Sequence, residues 1–364
     1  MIGNKDIPGL DKLRSYGHAV AGHAGVLQDE DGHLFVKPCT QTEVNFYESA
    51  NRDFPEFADL MPLFMGTLQL TDPAEAAAGQ VDSATAQVIS EQVASVAAGA
   101  ASAPAPDASA KPSSWVPNKS KKIKTDQAVV LDNASAGFKH PNILDAKMGV
   151  RLWADDAPIE KKERFDKITA STTHKNLGFR IAGMRVYRGS ENSEELDDHE
   201  YKVYNKDYGR YNVNEDNVVQ EFRKFVFNKS AGIDEELGKA VCEAIVHDLK
   251  KIKDILERHE SRMYSASVLF VMEGHGETLR EAIEENNEAA FRVRDKESKR
   301  IDSGIAMEED EDIDDDSDAP SGPQMYAVKL IDFAHAEWTP GQGPDENVLI
   351  GVRSLIRIFE EMAK

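Results

Sequence analysis

The sequence has few of the features of secreted, membrane-spanning or metal-binding proteins. Its 364 residues include only two cysteines, Cys39 and Cys242, without metal-ligand spacing near either. That scarcity argues against a disulfide framework and favours a reducing compartment. The longest apolar run, 268–272, is far too short to cross a bilayer, and the first residues contain no apolar signal segment. These absences predict a soluble intracellular protein without stable membrane insertion.

Basic residues are outnumbered by acidic ones. The 43 Lys and Arg residues against 65 Asp and Glu residues give a net charge of -22, and nine of the acidic residues lie in the run EEDEDIDDDSD at 308–318. Such a run is typical of a solvated, disordered loop. The overall balance argues against direct nucleic-acid binding, which needs a basic surface. It still allows a local basic pocket for a small polyanion, because charges are screened within about 8 Å.

Two segments read as insertions between ordered blocks. Residues 74–114 are rich in Ala, Ser, Gly and Pro, which is typical of a linker, and residues 295–323 are highly charged and end near two prolines. Without them the chain consists of blocks 1–73, 115–294 and 324–364. The basic cluster KSKKIK at 119–124 is either a nuclear import signal or part of a solvated linker.

Periodicity predicts the secondary structure of these blocks. Strands are expected over HLFVK, ending at Lys37, and over 127–132, 141–149, 265–272 and 326–333. Helices are expected over 41–50, 157–173, 214–228, 234–258 and 347–363. On the first helix, Val44, Tyr47 and Glu48 are predicted to share one side. Strands early in the chain and mixed elements later favour an α+β enzyme with two lobes.

Three sequence features fit phosphoryl transfer. Lys37 ends a strand, where a fixed cation could neutralise nucleotide phosphates, although it could equally close an edge strand. Asp145 and Lys147 are two residues apart on the strand predicted over 141–149, so both side chains point to the same side of it. Asp332 ends the apolar strand VKLI and precedes a phenylalanine, which suits a Mg²⁺ ligand as well as a simple turn cap. Together they predict an ATP and Mg²⁺ site.

The quoted segments resemble the inositol polyphosphate kinases, most closely their fungal multikinases. PNILDAKMG matches the family signature P-x-x-x-D-x-K-x-G, and IDFAH matches its late metal motif. SASVLF at 265–270 is similar to the family's S-S-L-L-F segment, with Ala266 for Ser and Val268 for Leu. The stretch 160–187 is similar to the multikinases throughout. The resemblance implies a two-lobe kinase fold, with an N-terminal lobe at 1–134 and a larger C-terminal lobe at 135–364.

The resemblance also implies roles for individual residues. Lys147 and Asp332 would be catalytic, with Asp332 holding the metal. The residues that would bind ATP are Lys37, Asp132, Ala134, Asp145 and Asp332, with Asp132 and Ala134 contacting adenine through the backbone and Asp145 holding ribose. Lys147 would contact both the transferred phosphoryl group and the inositol phosphate, and His335 would lie near the acceptor.

A basic helix is the predicted acceptor site. Lys161, Arg164 and Lys167 recur every three residues on the helix predicted within 157–173, where the family binds its inositol phosphate. The pairs Glu160–Arg164 and Glu163–Lys167 could instead be ordinary surface ion pairs. Arg185 is a further substrate-binding candidate that could equally form an ion pair on the face of a strand.

These observations favour a monomeric ATP-dependent multikinase that converts inositol 1,4,5-trisphosphate and inositol tetrakisphosphate towards pentakisphosphate. The alternatives within the family are an inositol trisphosphate 3-kinase and an inositol hexakisphosphate kinase. A different class is a nuclear scaffold that binds basic nuclear proteins through the acidic run 308–318. The expected locations are the nucleus and the cytoplasm.

Overall fold

The computed structural model describes residues 12–17, 20, 25–70, 125–288 and 324–364. The segments predicted as insertions, the basic cluster and the acidic run lie outside these ranges. Within the described ranges the strands form two five-stranded sheets and one two-stranded sheet, and every pairing is antiparallel. No helix in the described part of the chain has the length and apolar character needed to span a membrane.

The first sheet is built from the N-terminal part of the chain. Its strands are β1 (Arg14–Ser15), β2 (Leu27–Gln28), β3 (Leu34–Pro38), β4 (Phe64–Gln69) and β5 (Gln127–Asp132), in the spatial order β1-β2-β3-β5-β4. Two helices, α1 (Gln41–Asp53) and α2 (Pro55–Ala58), follow β3. The predicted strand that ends near Lys37 is therefore central in the sheet, between β2 and β5.

Helix α1 begins where Thr40 caps it, because the Thr40 side chain accepts a hydrogen bond from the Glu43 amide at 3.3 Å. The buried side of α1 carries Glu43, Val44, Phe46, Tyr47 and Ala50. The prediction that Glu48 shares this side is wrong, since Glu48 is exposed. The buried acid is instead Glu43, one residue before Val44.

The second sheet lies in the C-terminal part. Its strands are β6 (Pro141–Met148), β7 (Phe179–Tyr187), β8 (Tyr201–Tyr204), β10 (Ser267–Glu273) and β11 (Tyr326–Ile331), in the order β11-β10-β6-β7-β8. A small separate sheet pairs β9 (Ser261–Met263) with β12 (Ala336–Trp338). The predicted lobe boundary at residue 134 lies between the last strand of the first sheet and the first strand of the second.

The C-terminal part also contains most of the helices. They are α3 (Ile159–Ala170), α4 (His174–Leu177), α5 (Lys206–Tyr211), α6 (Val218–Val226), α7 (Glu235–Arg258), α8 (residues 276–288) and α9 (Glu346–Met362). Helix α7 begins at an Asp234 cap, whose carboxylate accepts from the Leu237 amide at 3.0 Å. Its apolar stripe packs against α9, and each fully buried Leu or Ile side chain contributes about 1.5–3 kcal/mol.

The register of the second sheet fixes the spacing of the predicted catalytic residues. Ser267 on β10 lies opposite Lys147 on β6 and opposite Ile331 on β11. Neighbouring strands are about 4.8 Å apart, so Lys147 and the start of the turn at Asp332 are two strand spacings apart on one sheet end. Lys147 and Asp332 therefore lie at the same end of the second sheet. The architecture is α+β with two lobes, as predicted.

Candidate active site

A cleft of about 850 Å³, its open mouth included, lies between the two large sheets. The first sheet contributes Phe35, Lys37 and Leu131 to its walls, and the second contributes Ile143, Asp145, Leu269, Val271 and Ile331. Mostly apolar walls with a few charged groups at one end are typical of a small-molecule site. Five of the predicted nucleotide-binding residues line it, namely Lys37, Asp132, Ala134, Asp145 and Asp332.

Lys37 lies at the charged end of the cleft. Its ammonium donates to Glu43 Oε1 at 2.7 Å and to Asp332 Oδ1 at 2.6 Å. Burial alone would lower the pKa of Lys37, but the carboxylates of Asp332 and Glu43 raise it above its usual value. Lys37 is therefore a fixed cation, held by one residue from each lobe.

Asp332 is held in an uncommon backbone conformation. Its φ of 69° lies in the left-handed region, which aspartate tolerates better than most non-glycine residues. The next residue, Phe333, donates its amide to Glu43 Oε1 at 3.2 Å, and its ring stacks on Phe46 with centroids 4.9 Å apart. These contacts with α1 position the Asp332 carboxylate beside Lys37.

Asp145 and Lys147 lie on the same face of β6, as predicted. The Asp145 side chain is buried, and its Oδ1 atom has no hydrogen-bond partner among the described residues. Burial raises the pKa of Asp145, while the positive charge of Lys147 opposes that rise. The Lys147 ammonium donates a hydrogen bond to the Ser265 carbonyl at 2.7 Å. Lys147 therefore lies beside Asp145 but does not line the cleft.

The local structure explains why residue 149, the last position of the family signature, is a glycine. Gly149 has a φ of 101°, and a Cβ atom added there would lie 2.6 Å from Nδ2 of Asn347. Asn347, at the start of α9, accepts from the Arg151 amide at 2.8 Å and donates to the Arg151 carbonyl at 3.0 Å. A side chain at 149 would break this contact and shift the end of β6 that carries Lys147.

The segment that joins the two sheets forms another wall of the cleft. Asp132 is tied twice to Leu63, since its amide donates to the Leu63 carbonyl and its Oδ1 accepts from the Leu63 amide. Ser135 is joined to Asn133 Oδ1 at 2.8 Å and to the Tyr16 hydroxyl at 2.9 Å. These bonds fix the backbone around Ala134, where the resemblance predicts contacts with adenine.

Two predicted acceptor residues meet beside Lys147. Lys161 on α3 lies 3.2 Å from Nε2 of His335, and burial followed by the Lys161 charge lowers the pKa of His335. Lys147 also contributes to this lowering, so the three groups face one space. A neutral His335 among these cations can accept a hydrogen bond or contact an anionic ligand.

The remaining predicted substrate residues are placed elsewhere. Arg164 and Lys167 are exposed on α3, and within the described chain neither pairs with Glu160 or Glu163. Arg185 fits the alternative that the sequence left open, because its buried guanidinium forms an ion pair with Asp197 at 3.1 Å and donates to the Gly17 carbonyl at 2.8 Å. Its Nε atom has no hydrogen-bond partner among the described residues, and a substrate-binding role for Arg185 stays a prediction.

Sequence reasoning missed Glu43 and Tyr16. Glu43 lies three residues before Phe46 and seven before Ala50, so helical spacing with these buried residues was the available signal. Its role depends on Asp332 and Phe333, which are distant in the chain. Tyr16 lines the cleft, and its ring packs edge-on to Phe35 at 5.0 Å between centroids. Nothing local in the sequence indicates that contact.

The donor set suits a metal shared with a nucleotide. Within the described residues no group of three or more His, Cys, Asp or Glu side chains could hold a metal ion. Mg²⁺ commonly takes only one or two carboxylates and completes its shell with phosphates and water. The Asp332 carboxylate, at the charged end of the cleft, fits that arrangement.

Comparison with known proteins identifies the family to which the chain is similar. Residues 128–360 match the family described as inositol polyphosphate kinase. The chain is 32% identical to the inositol polyphosphate multikinase of Saccharomyces cerevisiae, over 96% of this chain and 98% of that protein. It is 30% identical to human inositol hexakisphosphate kinase 1, over 67% of this chain but only 54% of that longer protein.

A solved structure has the same fold. It is the crystal structure of the S. cerevisiae inositol phosphate multikinase in complex with ADP and Mn²⁺. The match has a TM-score of 0.58 at 25% identity and covers 92% of this chain and all of that one. That relative binds a nucleotide diphosphate and a divalent metal.

Proposed function

The chain belongs to the inositol polyphosphate kinase family, and we propose that it is an ATP-dependent multikinase that phosphorylates inositol 1,4,5-trisphosphate and inositol tetrakisphosphate. The observation that carries the proposal is the Lys37 ammonium, bonded to Glu43 and Asp332 in a cleft that Asp145 also lines. A strand lysine paired with a helix glutamate, next to a metal-binding aspartate, is the arrangement that kinases use. The likeness to a multikinase over nearly full length favours this specificity over a hexakisphosphate kinase.

The nucleotide would lie in the cleft with its phosphates towards Lys37. The apolar walls would enclose adenine, and the backbone around Ala134 would contact its edge. Asp145 Oδ1, which is buried and unpartnered, would accept from a ribose hydroxyl. Asp332 would hold Mg²⁺, which supplies charge neutralisation on the phosphates when bound. Use of Mg²⁺ in particular, rather than another divalent ion, is part of the proposal.

The acceptor would lie on the side of Lys147 that faces away from the nucleotide, near Lys161 and His335. Lys147 could contact the transferred phosphoryl group because it lies between Asp145 and the acceptor space. A loose transition state spreads negative charge over the phosphoryl oxygens, so a positioned cation lowers the barrier without a strong general base. Arg164 and Lys167 would supply further positive charge along α3.

Product analysis tests the proposal. The purified chain is incubated with Mg·ATP and inositol 1,4,5-trisphosphate, and the products are separated by chromatography. Sequential appearance of tetrakis- and pentakisphosphate is expected. A single tetrakisphosphate that is not converted further would favour a 3-kinase, and activity only on the hexakisphosphate would favour a pyrophosphate-forming kinase. No transfer to any of these acceptors would reject the proposal.

We also propose a location and a second partner class from sequence alone. The cluster 119–124 supports nuclear import, so we propose that a monomeric protein is shared between nucleus and cytoplasm.

The acidic run 308–318 supports binding of basic nuclear proteins through opposite charge. Deletion of 308–318 separates the two roles, since turnover should stay unchanged while capture of a basic nuclear protein should be lost. Equal capture by both forms would contradict the second role.

A further inference from the structure

Tyr16 and Ser135 form a hydrogen bond between the two lobes beside the cleft. Both residues line the cleft, and their hydroxyl oxygens are 2.9 Å apart. Tyr16 follows β1 in the N-terminal lobe, whereas Ser135 comes after β5, at the start of the C-terminal lobe. The two residues are 119 positions apart in the chain, so their bond depends on how the lobes are placed. It links the lobes across the wall of the cleft.

Both partners of this bond are held in place by other contacts. The Tyr16 amide donates to the Val26 carbonyl at 3.2 Å, and the Tyr16 ring packs edge-on against Phe35. On the other side, Asn133 Oδ1 accepts from the Ser135 hydroxyl at 2.8 Å and from the Ser135 amide at 3.1 Å. Ser135 is buried, with 7% of its surface exposed. The two hydroxyl groups therefore meet in a fixed geometry.

The hydroxyl groups form a chain of hydrogen bonds with one direction. Ser135 has a single hydroxyl hydrogen, which it donates to Asn133, so the Tyr16 hydroxyl donates to Ser135. Burial raises the pKa of Tyr16 to about 12, so this hydroxyl keeps its proton at neutral pH. Asn133 in turn donates from Nδ2 to the Gly32 carbonyl at 2.7 Å. The segment after β5 is thus bonded both to Tyr16 and to the β2–β3 turn.

The register of the first sheet shows which end of the cleft this link closes. Lys37 lies opposite Val129 on β5, and Leu34 lies opposite Asp132. The chain from Val129 through Asp132 to Ser135 therefore leads away from the cation at which the phosphates would bind. The link lies at the end of the cleft where the adenine and ribose would bind.

We propose that the Tyr16 and Ser135 hydroxyls form a clasp that holds the nucleoside end of the cleft in its binding shape. The inference rests on the proposed function and adds two positioning residues to its nucleotide site. A wall that is fixed before binding spares the ligand the cost of ordering it, so the clasp increases nucleotide affinity. The acceptor site proposed at Lys161 and His335 includes neither hydroxyl, so acceptor binding is independent of the clasp.

Calorimetry of ADP binding to a double-mutant cycle tests the clasp. Tyr16→Phe keeps the ring and removes only the hydroxyl, and Ser135→Ala keeps the backbone bond to Asn133. With the full chain and Mg²⁺, each variant should bind ADP about 3- to 10-fold more weakly, as expected for loss of one hydrogen bond. The double variant should bind no more weakly than either single one, because both substitutions remove the same bond. Tyr211→Phe, at a residue that is 80% exposed on α5, is the matched control and should keep wild-type affinity.

Kinetics separate a positioning role from a general loss of structure. In Tyr16→Phe the KM for ATP should rise by a similar factor, while the KM for inositol 1,4,5-trisphosphate should stay within about 2-fold. Equal rises of both KM values would overturn the clasp, as would unaltered ADP affinity in the single variants or losses that add in the double variant. If the variants show the expected ADP losses but the wild-type chain phosphorylates no inositol phosphate, the kinase proposal fails while the clasp stands. If the wild-type chain binds no ADP, both fail.

Discussion

Glu43 is the residue that joins the two halves of the nucleotide site. Its Oε1 atom accepts from the Lys37 ammonium and from the Phe333 amide, which follows Asp332 directly. One buried carboxylate thus holds both the proposed phosphate-binding cation and the turn that presents the proposed metal ligand. Lys37 thereby has a fixed partner in Glu43 from its own lobe, in addition to Asp332 from the other.

Glu43→Gln tests this joint role. The amide oxygen can still accept one hydrogen bond, so the fold should persist, but the charge that orients Lys37 is lost. We expect kcat/KM to fall by about 10- to 100-fold, the equivalent of one charged hydrogen bond. Glu48→Gln, on the exposed side of the same helix, is the control and should retain full activity. Equal activity of the two variants would contradict the role of Glu43.

His174 is a buried base with a measurable effect on stability. Its Nδ1 atom lies 2.7 Å from the carbonyl of Gly149, and its other ring nitrogen has no partner in the described chain. Burial, followed by the charge of Arg180, lowers the pKa of His174 to about 3. In the unfolded chain the same histidine has an ordinary pKa of about 6.5. Between about pH 6.5 and about pH 3 it is therefore protonated in the unfolded state but neutral in the folded state.

The sign of the effect follows from this lowered pKa. Stability from His174 is complete above about pH 6.5 and is lost as the pH falls towards 3, at up to about 1.4 kcal/mol per pH unit. His174→Asn can donate to the Gly149 carbonyl but cannot titrate. Urea unfolding between pH 7 and pH 5 should therefore show a steeper loss for the wild-type chain than for His174→Asn. The exposed His199→Asn is the control, and parallel profiles for all three would refute the prediction.

At the scale of elements, α1 and the described residues Tyr16, Gly17 and Val20 connect the two lobes beside the cleft. Phe46 on α1 stacks on Phe333 and on Trp338, the latter with centroids 4.7 Å apart, and such pairs contribute about 0.5–1.5 kcal/mol each. Val20, between β1 and β2, lies so close to Gly183 on β7 that a Cβ atom there would collide with its carbonyl. Both lobes are therefore in direct contact across the site.

Arg185 fixes the position of Gly17, just after β1. Its guanidinium donates to the Gly17 carbonyl, and Gly17 follows Tyr16, which lines the cleft. We expect Arg185→Ala to raise the KM for ATP several-fold while the KM for the acceptor changes little, because Tyr16, next to Gly17, lines the cleft in which the nucleotide is proposed to bind. Arg185→Lys should restore part of the ATP affinity. A rise confined to the acceptor KM would instead return Arg185 to the substrate-binding role that the sequence predicted.

Some of these elements could be predicted and others could not, for physical reasons. The α7 helix was predicted at 234–258 and observed at Glu235–Arg258, because its apolar stripe and its cap are local features. The signature Asp145-x-Lys147 is local too. The contact of Lys37 with Asp332 spans 295 positions, so no periodicity indicates it. The contacts of Arg185 with Asp197 and Gly17 likewise depend on how the elements pack.

At the scale of the whole molecule, the site is a meeting of two lobes. The first sheet supplies Lys37, the second supplies Asp145 and Lys147, and the turn after β11 supplies Asp332. The chain charge of -22 would repel a polyphosphate at a distance, so the local cations must dominate at short range. The proposed phosphoryl transfer requires that Asp332, as metal ligand, and Lys147 act on the same phosphoryl group.

The most direct measurement is the single-turnover transfer of labelled γ-phosphate from ATP to inositol 1,4,5-trisphosphate by Asp332→Asn and by Lys147→Ala. Each variant should be slower by about 1000-fold, because such a group supplies several kcal/mol of transition-state stabilisation. Asp254→Asn, an exposed residue on α7, should transfer at the wild-type rate. Wild-type transfer rates in Asp332→Asn or in Lys147→Ala would contradict the account.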